Sequence, residues 1–406
     1  METTMRSDLM MLAALTSLTA ACGDKDTDTG VDTGATDTSA FSFCSDIIEG
    51  FCYLSGEHTD DIELTTDYAY VLDGGVFIGD DTTNNTLSIQ PGVTIYGETS
   101  TKGFLTIRRN AMIQAVGTAE QPIVFTSPQG PGSRARSDWG GLILNGNAPI
   151  NICSDGSEDA GDCEAEGEGG TGLYGGTDTE DSSGALQYVR VEFGGTEITT
   201  ENEVNGIAFQ GVGSGTSVSY VQVHFNKDDG VEFYGGTVNA DHLVLTGIGD
   251  DSLDYTDGWS GTVSDVYIQQ VGGYESDRGM EMDNSADQND ALPRSNPTIS
   301  DVLIVGNGGD TIGFLAREGT AGTFDNINIT GSGTCIDVDG DATYAQGISG
   351  ALSITNSTLD CDSSFKADDD DGDLEAWFLG QTGNSTGSVD ATAPDWTSGW
   401  IETAEN

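Results

Sequence analysis

Basic residues are what this sequence most conspicuously lacks. It has 13 lysines and arginines against 68 aspartates and glutamates in 406 residues, a formal net charge of -55. Nothing here could neutralise a phosphate backbone, which excludes nucleic-acid partners. Adsorption to anionic lipid through a basic patch is disfavoured for the same reason. The imbalance favours solubility and attraction for cations. Histidine is nearly missing, at 3 residues. No cysteine pair has CxxC spacing, so a Cys/His zinc site has no support. Proline numbers 8 against 58 glycines, so the chain turns often with little stiffening. Aromatics at 8% are too many for wholesale disorder.

The N-terminal stretch MRSDLMMLAALTSLTAAC carries an apolar run from Leu9 to Ala21. That is signal-peptide length and too short to span a bilayer. Met5 as the start would leave Arg6 as its charged flank. Ala20 and Ala21 precede Cys22, similar to a bacterial lipobox, with Thr19 where an apolar residue is usual. The expectation is a signal peptide over 1–21 and lipidation of Cys22, anchoring an otherwise soluble chain to the outer membrane. Removing Cys22 from the 7 cysteines leaves an even set for an exported protein. Neighbour pairing is the simplest of about 15 connectivities: Cys44 with Cys52, Cys153 with Cys163, Cys335 with Cys361. GDKDTDTGVDTGATDTSA then reads as an acidic flexible tether over 22–43. Its DTG copies have no flanking apolar strands, unlike an aspartic-protease motif.

After a disulfide-stapled segment over 44–60, the pattern changes. Alternating apolar stretches recur between Gly, Asn and Asp: YVLDGGVFIG, TLSIQPGVTIYG, FLTIRRNAMIQAVG, PIVFTS, WGGLILNG. These predict strands, and no long segment of helical period competes. TVSDVYI, TISDVLI and TFDNINI are near-copies. Their inward pairs are expected at Val266/Ile268, Val302/Ile304 and Ile327/Ile329. Val189/Val191, Val221/Val223, Leu243/Leu245 and Leu352/Ile354 fit the same slot. A second series runs in phase: Ile207/Phe209, Val231/Phe233, Leu253/Tyr255, Met280/Met282, Ile312/Phe314 and Ile336/Val338. A period of about 22–25 residues with several short strands predicts an all-β fold, a right-handed parallel β-helix over 61–375 with inserted loops. A propeller would need about 40–50 residues per blade. Residues 376–406 are expected to cap the open end, with Trp377, Phe378 and Leu379 covering it.

The second series aligns GVEFYGG, SLDYTDG and GMEMDNS. Glu232, Asp254 and Glu281 then point outward on successive rungs. In the preceding turn Asp228 and Asp229 stack near Asp250 and Asp251, then Asp277. Like charges one rung apart repel. Ca²⁺ could hold them, or some could carry protons, or their oxygens could bind turn amides in water. All eight are candidate Ca²⁺ ligands. An enzymatic alternative is a Ca²⁺-assisted polysaccharide lyase or glycoside hydrolase. Inverting hydrolysis needs carboxyls about 6.5–9.5 Å apart, which Asp229 and Asp251 could supply. A lyase would use Lys227 or Arg278 as base and acid. Against this, the Gly-His-Gly and Arg-x-Lys signatures of polygalacturonase-type hydrolases are missing. His224 and His242 do not align in the repeat and are expected as surface or edge residues. Asp337, Asp339 and Asp341 give only a fragment of a Ca²⁺ loop.

SDWGGLILNGNAPIN, EGGTGLYGGTDTEDSSGALQYVRVEFGG and the run from NEVNGIAFQ to DSLDYTDGW resemble a family of bacterial outer-membrane lipoproteins. It is related to the LipL-type surface lipoprotein of spirochaetes. The likeness spans about Tyr70 to Asn307 and is weaker toward both termini. It implies a lipid-anchored β-helix on the cell envelope, with no settled activity. The resulting expectation is a non-enzymatic surface protein with a binding or structural role, a glycan or another envelope protein as partner, and Ca²⁺ on the acidic face.

Overall fold

The computed structural model describes residues 43–153, 163–199, 202–272, 276–366 and 373–406. The signal peptide, Cys22, almost all of the tether, and the interior of the Cys153–Cys163 loop lie outside the described residues. So do Tyr274, Glu275 and the acidic run 367–372.

Alternating apolar residues make short strands, and stacking them in parallel buries one side of each. Val231–Tyr234 pairs in parallel with Ile207–Gln210 on one side and Leu253–Thr256 on the other. Repeated along the chain, this joins 26 strands among the described residues into one wound sheet, with only the first pair antiparallel. It is a right-handed parallel β-helix, the hand that parallel crossovers adopt. The winding begins at Phe51–His58, paired in parallel with Ala69–Ile78, within the segment expected as only a stapled N-terminus.

Each central rung has three sides. One is a four- or five-residue strand such as Val231–Tyr234. The other two come from one long strand bent in its middle. Gly184–Glu192 lies on Met112–Val116 with its first half and on Ile123–Thr126 with its second. The bend falls at residues of positive φ: Tyr188, Tyr220, His242, Asp265, Asp301 and Asn326, at 48° to 58°. Asp and Asn tolerate that region, whereas Tyr pays steric strain there. The strained rings stack instead, Tyr188 on Tyr220 at 4.6 Å and Tyr220 on His242 at 4.2 Å.

Inside, Phe209, Phe233 and Trp259 stack with centroids 5.2 and 4.3 Å apart. All three disulfides have the expected pairing. Two expected registers are corrected. Met280 and Met282 lie under Phe314 and Ala316, not Ile312 and Phe314, because Arg278 pairs with Ile312. Leu352 and Ile354 continue Gly322 and Phe324, whereas Leu359 continues Ile329. The first shift is two residues, which keeps the apolar alternation. The second is five residues and carries Leu352 across the bend at Asn326 to another side of the rung, where its inward alternation is equally satisfied.

At the end, the helix Leu374–Leu379 buries Phe378 against Phe365, while Leu379 stays exposed. The rest of 376–406 does more than cap. After Ser385–Thr386 joins the last rung, the chain returns along the outside to the middle rungs.

Candidate functional site

The acidic residues sit where the turn meets the short strand. Asn226 is buried and donates from Nδ2 to the Asp229 carbonyl at 2.7 Å, closing the turn. Gly230 follows because a Cβ there would lie 2.4 Å from the Ser252 carbonyl oxygen. The same turn repeats one rung on. Asp229 Oδ1 accepts from the Asp251 amide at 3.0 Å, and Asp251 Oδ1 from the Arg278 amide at 2.9 Å. Asp250 accepts the Asp277 amide at its backbone carbonyl.

Glu232, Asp254 and Glu281 form the outward column, paired directly across the ladder. They are not solvated. Asp229, Glu232, Asp251, Asp254 and Glu281 are all buried, Asp254 being the most open at 9%. Asp228 is half-buried, while Asp250 is exposed. Two groups of three bring carboxylate oxygens within 4.8 Å of one another: Asp228, Asp229 and Asp250 at the mouth, and Asp229, Glu232 and Asp254 inside. Asp229 belongs to both. Glu232 accepts from Asn205 Nδ2 at 2.6 Å. Asp254 Oδ1 is buried with no hydrogen-bond partner among the described residues.

The column is not purely acidic. Arg278 reaches Asp277, lies 3.6 Å from Glu281 and 3.9 Å from Asp251. Arg317 bridges Glu281 and Asp283, each at 3.0 Å. Asp283 and Arg317 escaped the sequence reading. Asp283 was visible in GMEMDNS, but Arg317 becomes its ladder neighbour only in the corrected register. Of the proposed acid-base residues, Lys227 is exposed at the mouth.

Burial raises the carboxyl pKa of Asp229, Asp251 and Asp254 well above the usual range. Neighbouring charge adds to it: Asp254 acting on Asp229, and Glu232 on Asp254. A bond with Glu281 raises Asp251 further. Burial also pushes Asp283 up to about 8, against the pull of Arg317. For Arg278, burial favours the neutral form, but Asp251 and Glu281 outweigh it and hold the guanidinium charged.

His224 is buried and His242 half-buried, both on another side of the rung. Burial of His224 corrects its expected surface position. Asp337 continues the outward column after Leu315 but is paired with Lys366 Nζ at 2.8 Å. No helix among the described residues is long and apolar enough to cross a membrane.

An all-oxygen set of this kind suits a hard cation. Oxygens around one Ca²⁺ at about 2.3–2.6 Å lie at most about 5 Å apart, the spacing of both groups. A family model described as pectate-lyase like beta helix domain matches residues 56–401. No curated protein and no solved structure matches the chain.

Proposed function

The chain belongs to the pectate-lyase-like β-helix family, and from that premise we propose a non-enzymatic, polysaccharide-binding envelope protein whose acidic column holds Ca²⁺. The observation that carries the reading is the inner group, Asp229, Glu232 and Asp254, with one buried oxygen of Asp254 unpartnered. Three carboxyls that close to one another either keep protons or share a cation. Asp229, Glu232 and Asp254 would hold the ion inside, and Asp228 and Asp250 would offer oxygens at the mouth. A bound Ca²⁺ supplies positive charge on a face that otherwise repels anions, so an acidic or hydroxyl-rich glycan could dock there. Lipidation at Cys22, outer-membrane location and kinship with the LipL-type lipoproteins belong to the same proposal and rest on the sequence.

The lyase reading is weaker. Of its two candidate bases, Arg278 is held protonated by the carboxylates around it, which leaves Lys227, exposed at the mouth. The hydrolase reading needs a carboxyl that a sugar can reach, and Asp229 and Asp251 are buried.

Thermal melts of the full chain with Ca²⁺ and with chelator test the ion. The expected result is a Ca²⁺-dependent rise in Tm that Asp229→Asn removes; equal melts would count against the site. A glycan panel then tests the partner. Calcium-dependent binding without chain cleavage is expected, and cleavage lost in Asp251→Asn would establish the enzyme instead.

A further inference from the structure

The last residues of the chain pack on a different side of the helix, near Arg134, Arg136 and Arg190. Trp400 is buried against Val244 and Tyr267, edge-on to Tyr188 and Tyr220 at 5.7 and 6.1 Å. Its carbonyl accepts from Arg190 at 3.3 Å. Trp396 lies edge-on to His242. Gln222 grips residue 402 from both sides: the Glu402 amide donates to Oε1 at 2.7 Å, and Nε2 donates to the Glu402 carbonyl at 2.8 Å. His224 Nε2 lies 2.9 Å from the Ala404 carbonyl, and Nδ1 lies 2.7 Å from Thr246 Oγ1.

These contacts fix the protonation of the latch. A carbonyl only accepts, so Nε2 carries the hydrogen. Nδ1 is then the acceptor, and the Thr246 hydroxyl donates to it. Gln222 Nε2 also approaches Thr246 Oγ1 at 3.3 Å, closing a ring of hydrogen bonds from Gln222 through Thr246 and His224 to the tail. A proton on Nδ1 reverses one bond of that ring. Thr246 Oγ1 then faces two donors, and its own hydrogen loses its acceptor. The charge would also sit in a buried site. Around His224 stand Glu402 from the tail, Arg190 and Glu192 from Gly184–Glu192, and Arg134 and Arg136 over Phe193 and Phe225. Asn239–Thr246 faces it with the neutral Thr246.

We propose that the segment Trp396–Ala404 is a releasable clasp, latched by neutral His224 and let go when His224 takes a proton. The tail has no strand ladder of its own here, so it can detach without unwinding a rung. Its release uncovers Gln222, His224, Val244 and Tyr267. Burial lowers the His224 pKa below that of free imidazole, outweighing the Ala404 carbonyl and the Glu402 charge, which favour the charged ring; release therefore falls on the acid side of neutrality.

Hydrogen exchange by mass spectrometry on the full chain, corrected for intrinsic pH effects, tests this. Between about pH 7.5 and about pH 5.5, tail peptides should exchange roughly tenfold faster while rung peptides stay protected. His224→Gln should flatten that dependence, and Glu402→Gln should retain it, separating His224 from the nearby carboxylate. Should His224→Gln not fold, Thr246→Val serves: losing the donor to Nδ1 makes protonation easier, so release should move to higher pH. Tail exchange independent of pH in the wild type would overturn the proposal. So would an unmoved midpoint in Thr246→Val, or pH dependence lost in Glu402→Gln.

Discussion

Two sides of the same rungs carry ionisable groups in opposite ways. On the short-strand side, Asp229, Glu232, Asp251 and Asp254 crowd together, with Arg278 and Arg317 offsetting only the far end. On the long-strand side, Arg134 and Arg190 surround a single buried carboxylate, Glu192, at 3.8 and 2.9 Å. Thr126 adds a bond to the same carboxylate at 2.8 Å. The second side pairs its charge within the chain, although burial still raises the Glu192 carboxyl against the pull of Arg190 and Arg134, and the tail packs nearby. The first side has charge left over. Buried carboxyls crowded without cations must keep protons or share an ion, whereas a carboxylate beside two arginines has its partners within the chain.

The largest effect should come from the core that both sides share. Phe233→Ala would break the Phe209–Phe233–Trp259 stack and cost about 3–5 kcal/mol, read by denaturant unfolding. Both sides should then loosen together. A loss confined to one side would show that the two sides open independently.

Calcium should separate the two. At a hundredfold excess over its Kd, an ion bound only to the folded protein adds about 2.7 kcal/mol. The gain should vanish in Asp229→Asn and leave tail exchange unchanged.

Acidity should act on the acidic column and on His224 with opposite sign. Asp229, Asp251, Asp254 and Asp283 have folded pKa values above their unfolded ones. Their protonated forms favour folding below the unfolded value, and that contribution is lost as pH rises through the folded value. With its folded value at about 8, Asp283 alone should cost the chelator-treated protein on the order of 3–4 kcal/mol between about pH 5 and about pH 8. Asp254→Asn should reduce that slope and stabilise the chelated protein at pH near 8. For His224 the folded value is lowered, so its contribution is present above the unfolded value and lost as pH falls. Unfolding curves with chelator and tail exchange without it would show the two trends separately.

Trp400→Ala should have the smallest global effect. It frees the clasp, so tail peptides exchange faster, but the unfolding midpoint should move by less than about 1 kcal/mol. A larger shift would mean that the tail is an integral part of the rungs.

Much of the winding was legible because it is local. Val221, Leu243 and Val266 recur at nearly one period, and the ladder pairs them as read. The register differs at Ile312, where a two-residue offset preserves the alternation, and at Leu352, which lies five residues away across the bend. The offset at Ile312 also hid Arg317, since its alignment with Asp283 depends on the shifted register. Of the candidate site, Glu232, Asp254 and Glu281 were legible as an outward column. Their burial was not, because outward from the core was taken to mean facing water. His224 was misplaced for a related reason. Its partner Ala404 lies 180 residues away, and nothing in TAEN marks it as a docking strand.

The repeat, the inward columns and the stacking of carboxylates follow from the sequence, because each depends on contacts between adjacent rungs at a near-constant spacing. Tertiary structure alone decided which side of the rung is covered. The tail runs back along the axis to meet Gln222 and His224, and the carboxylates are enclosed instead of solvated. Coverage depends on the path of segments that obey no period, and burial turns a column of ordinary aspartates into a site that holds protons or a cation.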